Sequence, residues 1–133
     1  MQNLVDAIPY ARLLGVQIER VDGGFECVLP FRPDLIGNTR LPAIHGGAIG
    51  SFLELTAILC LIDESGVTGS VPRPIGITVD YVRSAGPRET RARAEVFKLG
   101  RRISHVHVVA WQEQRDRPVA AANGKFLMAP PPT

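Results

Sequence analysis

Residues 46–62 constrain this chain more than any other stretch. Good helix formers dominate, apolar residues fall on nearly every face, and Glu54 is the one charged residue between Ala48 and Ile62. A helix that is apolar all round has to be enclosed by other structure. An uncompensated carboxylate inside such an enclosure costs on the order of several kcal/mol, so its presence points to a chemical task. The apolar run is shorter than the roughly 20 residues a bilayer core requires, and Glu54 sits near its middle, which predicts a buried helix and no membrane span. His45-Gly46-Gly47 stands at its entrance.

The rest of the chain supplies the enclosing layer. Residues 3–14 carry Leu4, Val5, Ile8, Leu13 and Leu14 around Pro9 and predict a short helix or turn. Residues 16–21 and 25–31 flank Asp22-Gly23-Gly24 and read as a β-hairpin. Residues 32–44 and 65–74, rich in Pro and Gly, read as loops. Ile75, Ile77, Val79 and Tyr81 alternate with Gly76, Thr78 and Asp80, and Ala92, Ala94 and Val96 alternate with Arg91, Arg93 and Glu95. Two further β-rich runs, 103–111 and 119–128, can pair across the polar connection 113–117, and residues 129–133 read as a frayed tail. Layer logic then gives an α+β domain: a hairpin, one long buried helix and a meander of about four antiparallel strands, with the sheet curled around the helix.

Composition narrows the function. With 133 residues, 45% of them hydrophobic, the chain fits one domain spanning 1–133. A net charge of +2, with no basic block longer than Arg101-Arg102, argues for no nucleic-acid partner. Cys27 and Cys60 lie in core-type segments and read as reduced thiols. Asp6, Pro9 and Arg12 interrupt the pattern a leader would need, so a cytoplasmic address is the default expectation. His105 and His107 share a strand face with Trp111, but no third ligand stands at suitable spacing; the expectation is no metal, and an outer or interface surface.

Residues 38–54, Asn-Thr-Arg-Leu-Pro-Ala-Ile-His-Gly-Gly-Ala-Ile-Gly-Ser-Phe-Leu-Glu, resemble the signature of the hotdog-fold acyl-CoA thioesterases. The match is to the phenylacetate-pathway branch, related to one class of 4-hydroxybenzoyl-CoA thioesterase. In that branch His-Gly-Gly opens the central helix and an acidic residue follows nine positions after the His, as His45 and Glu54 do here. Val79-Asp80-Tyr81-Val82-Arg83 resembles the family's strand ending in Tyr and a basic residue, and Gly100-Arg101-Arg102 its Gly-basic turn. The resemblance implies a hotdog fold of about five to six antiparallel strands around the helix. It also implies a homodimer joined sheet edge to sheet edge, often a dimer of dimers, with active sites between subunits. Two positions depart from the pattern. The family's Asn or Gln six residues before the His corresponds to Thr39, with Asn38 one position further away, and a Ser or Thr that some members supply after the helix falls near Pro74.

Thioester hydrolysis needs a base or nucleophile, a donor for the developing oxyanion and a dry slot for the acyl chain. Glycines at a helix start leave backbone N–H groups unpaired and admit a substrate closely, so Gly46, with Gly47 beside it, is the expected oxyanion site. Glu54 is the expected general base or nucleophile, with His45 and Asn38 assisting at the helix entrance. At 1.5 Å per residue Glu54 lies roughly 12 Å along the axis from Gly46, which favours a two-fold partner supplying one of the two groups. Tyr81, Arg83, Gly100, Arg101 and Arg102 are expected to meet the CoA portion, which belongs to the substrate, so no cofactor is expected. The reading that follows is an acyl-CoA thioesterase for a medium-chain or aromatic acyl group. The alternatives are a non-catalytic acyl-CoA-binding protein and a hotdog dehydratase; for Glu54 itself the alternative is a structural carboxylate satisfied by arginine or backbone donors.

Overall fold

The computed structural model of the protein describes residues 2–38, 40–66 and 70–128, with Asn38 described by its backbone alone; the expected tail 129–133 lies outside the described residues. The expected central helix is present as the longest element, α3 (Gly46–Ser65), numbered after α1 (Gln2–Ala7) and α2 (Pro9–Leu14). It ends where Gly66 takes a left-handed φ of 67° and returns its N–H to the Ile62 carbonyl. By length and composition alone α3 could cross a bilayer, but Phe52, Leu53, Leu59 and Leu61 are fully buried inside the domain.

What buries them is a six-stranded antiparallel sheet. Its strands are β1 (Gln17–Val21), β2 (Gly24–Leu29), β5 (Arg73–Tyr81), β6 (Thr90–Lys98), β7 (Ile103–Trp111) and β8 (Ala120–Leu127), in the order β1-β2-β6-β7-β8-β5. The expected hairpin turns at Gly23, whose φ of 80° suits glycine. The alternation in β8 shows how the wrap is made: Ala120, Ala122, Gly124 and Phe126 are buried against the helix while Asn123, Lys125 and Leu127 face out. A Cβ on Gly124 would lie 2.6 Å from the Phe126 ring, so the glycine makes room for the largest inward side chain of that strand.

Two expectations need correction. The four strands after α3 are not a simple meander, because β5 crosses to the far edge and pairs with β8, leaving β6 between β2 and β7. Residues 32–44 are not all loop: a 3-10 turn, Pro33–Leu35, leads into a two-stranded ribbon of β3 (Ile36–Asn38) and β4 (Ala43–Ile44). Ile75 and Tyr81 of β5 are each 56% exposed. At the sheet's margin β5 has a neighbour on one side only among the described residues, so part of its apolar surface is left open.

Local contacts complete the frame. β2 meets β6 only where Cys27, Val28 and Leu29 face Ala92, Arg91 and Thr90; beyond that the strands part, and the Arg93 guanidinium donates to the Asp22 carbonyl at 3.1 Å instead. On the outer face Arg91 draws Glu19, Glu26 and Glu89 together at 3.0, 3.2 and 2.9 Å. His107, also on the outer face, bonds Asn123 at 2.9 Å, and Trp111 is buried under the Arg115 guanidinium, 5.5 Å from its ring. Both cysteines are buried and free. Truncating Phe52 to Ala is expected to cost about 3–5 kcal/mol, read from urea denaturation at fixed protein concentration.

Candidate functional site

The helix entrance is built by its cap. His45 has an extended backbone, and its Nδ1 accepts the Gly47 N–H at 2.9 Å, while its carbonyl accepts the N–H groups of Ala48 and Ile49. Only one of the two expected glycine donors therefore stays open: the Gly47 N–H is spent on the cap, and among the described residues the Gly46 N–H has no partner. Accepting at Nδ1 puts the neutral imidazole's proton on Nε2. The entrance is anchored from outside as well, since the His45 N–H donates to the Leu35 carbonyl and the Ile44 N–H to the Ala85 carbonyl.

Tyr81, at the end of β5, lies against this first turn. Its hydroxyl donates to the Gly46 carbonyl at 2.7 Å, and a Cβ on Gly50 would come within 3.0 Å of the Tyr81 oxygen. Glycine at 50 thus lets the Tyr81 hydroxyl lie close to the helix, a role that motif spacing does not disclose. Gly46, Tyr81, Ile49 and Arg83 share a hollow of about 370 Å³ that also takes in Ala43 and Ser84.

Glu54 stands apart from that hollow. It is half-buried, one helical spacing beyond Gly50 and Ser51 on the least covered side of α3, and it has neither a hydrogen bond nor an ion pair among the described residues. Among the described residues no arginine or backbone donor satisfies this carboxylate. Desolvation pushes the Glu54 carboxyl above its ordinary range.

Other expected residues are not gathered here. The turn at Gly100, Arg101 and Arg102 leads into Ile103, which pairs with Leu127, itself opposite Arg73 at the start of β5. Tyr81 is at the end of that strand, roughly 26 Å away at about 3.3 Å per residue. Gly100 has a local reason to be glycine, because a Cβ there would run into the Ile103 carbonyl oxygen. The Asn38 side chain and Thr39 lie outside the described residues.

The sequence profile of the acyl-CoA thioesterase N-terminal domain family matches residues 38–127, about two thirds of the chain and all of this site. The chain belongs to that family. It is 25% identical to the Escherichia coli medium/long-chain acyl-CoA thioesterase YigI, over 91% of this chain and 86% of that protein. A Chromobacterium violaceum protein of known structure is 34% identical, with a TM-score of 0.75 over 96% of this chain and 88% of its own. A Bacillus halodurans protein whose crystal structure was determined with CoA is 25% identical, with a TM-score of 0.73 over 90% and 76%. The hotdog architecture and the acyl-CoA thioesterase class expected from the motif are both met.

Two outcomes follow for this thioesterase domain. Tyr81→Phe removes one hydrogen bond from the helix entrance and is expected to lower stability by about 0.5–1.5 kcal/mol in urea unfolding. Because the folded state holds the Glu54 proton more tightly than the unfolded chain does, stability is lost as pH rises from the ordinary glutamate range through the raised value. Glu54→Gln should match the parent below that window and exceed it in thermal midpoint above it, as a calorimetric pH series would show.

Proposed function

We propose that the protein hydrolyses medium-chain acyl-CoA thioesters, with the Gly46 N–H polarising the thioester carbonyl and Glu54 as base or nucleophile. The observation that carries this reading is the pairing of opposites on one helix: among the described residues, the one donor left open at its positive end and, two turns on, a desolvated carboxylate without a partner. As base, Glu54 takes a proton from water while the oxygen adds to the carbonyl carbon. The oxyanion rests on the Gly46 N–H, and collapse breaks the C–S bond, with the proton passing from Glu54 to the CoA thiolate. As nucleophile, Glu54 forms a mixed anhydride that water then opens. A raised carboxyl pKa favours the first route, since a stronger base is more effective near neutral pH. The medium/long-chain designation of YigI supports an aliphatic acyl group over an aromatic one.

The separation of Gly46 from Glu54 along α3, roughly 12 Å, calls for two subunits at each site. β5 supports a two-fold assembly: its outer edge has no strand beside it among the described residues, and Ile75, Tyr81 and Val82 leave apolar surface along it. Pairing this edge antiparallel with its copy would carry the partner's β5 start, and with it the partner's turn at Gly100, Arg101 and Arg102, towards Tyr81 and Arg83. That is how residues at opposite ends of one sheet come to serve one CoA.

Thiol release from a panel of aliphatic and aromatic acyl-CoAs tests the reading. Glu54→Gln and Glu54→Ala should each lose a hundredfold or more in kcat at unchanged oligomeric state, and the parent should be a dimer or larger by light scattering. Undiminished turnover in both variants would remove Glu54 from the chemistry. CoA-ester binding without release would make the protein a carrier or sensor.

A further inference from the structure

A second hollow of about 370 Å³ adjoins the one at Gly46, with Arg83, Ser84 and Val119 lining both, and it is completed by Arg88, Arg117, Gln112 and Glu113. Three guanidinium-bearing residues and a single carboxylate make it strongly cationic for a chain whose net charge is only +2. The backbone that carries them is tied down. Gln112, at the end of β7, accepts the Gly86 N–H and donates to the Gly86 carbonyl, both at 2.9 Å, and reaches the Arg88 carbonyl and the Thr90 hydroxyl as well. The N–H groups of Val82 and Arg83 both turn to the Val119 carbonyl, and that of Arg117 to Gln114. Arg83 spends one donor on the Pro118 carbonyl at 2.7 Å, and Arg88 is paired with Glu113. Each guanidinium carries five N–H groups, so most of their donors stay available.

We infer that this hollow receives the phosphate groups at the nucleotide end of the CoA substrate, with Arg88 and Arg117 acting beside Arg83; the inference rests on the acyl-CoA reading above. Planar guanidinium forks match phosphate oxygens geometrically, and a phosphate can compete with Glu113 for Arg88 because it carries more charge. The two hollows share a wall, so a ligand with a thioester at one end and phosphates at the other can lie across both. Arg88 and Arg117 sit in irregular segments between strands, where spacing gives no hint that they converge.

The test is a kinetic comparison of Arg88→Gln, Arg117→Gln and the double variant on acyl-CoA, acyl-dephospho-CoA and acyl-pantetheine. In the double variant KM for acyl-CoA should rise about tenfold with kcat little changed, the KM for acyl-pantetheine should stay at the parent value, and the parent's dependence of KM on ionic strength should flatten. If the 3′-phosphate is the group held, acyl-dephospho-CoA behaves like acyl-pantetheine; if the diphosphate is held, it behaves like acyl-CoA. An unchanged KM for acyl-CoA, or an equal rise for acyl-pantetheine, would overturn the assignment. Calorimetric binding of CoA itself gives a readout independent of turnover: weaker binding by the double variant supports the hollow even in a protein that hydrolyses nothing, and equal binding rejects it.

Discussion

A 20-residue helix that is apolar on nearly every side has no face it can leave in water, so most of the fold serves to cover it. The sheet encloses its C-terminal half, where each residue from Leu55 to Ile62 is buried. The N-terminal half is covered less completely, and there the chain places small residues, Gly46, Gly47, Ala48, Gly50 and Ser51, followed by Glu54. Reduced covering suits the proposed site: a substrate can approach the helix only where the sheet does not.

The proposed chemistry depends on how donors are allotted at that opening. A helix start exposes several N–H groups, and left alone all of them would bind water. His45 takes the Gly47 N–H with its ring and those of Ala48 and Ile49 with its carbonyl, which singles out Gly46. Tyr81 then secures the carbonyl of the same residue from the sheet side. The two peptide units that flank Gly46 are thus each held, one through the His45 carbonyl and the other by Tyr81, and such preorganisation is what would let the proposed backbone donor stabilise charge without having to move first.

The parts legible in the sequence were those written in local periodicity. The strand alternations, the Gly23 turn, the all-apolar helix and the His45 to Glu54 spacing each carry their meaning within a few residues. Contacts between distant segments were not legible. β5 and β6 have the same period-2 pattern, yet one lies at the margin and the other inside the sheet, because pairing partners are chosen by the global wrap and not by the strand itself. Gly47 looked as open as Gly46 because the donor count depends on the rotamer of the His45 ring. The short β3–β4 ribbon was hidden by Pro, Gly and Asn residues that ordinarily mark loops.

The narrow seam between β2 and β6 bears on how the hairpin is held. Only three residue pairs join the β1–β2 hairpin to the rest of the sheet, whereas β5 is zipped to β8 along nearly its whole length. Below the seam, the Cys60 thiol, directed at the Ala94 carbonyl, and the Arg93 side chain occupy the gap where ladder hydrogen bonds would otherwise run. Side chains close this gap with fewer shared bonds than a strand does, so what ties the hairpin to the domain is the burial of Phe25, Cys27 and Leu29 and the reach of Arg91 to Glu19 and Glu26, more than the ladder itself.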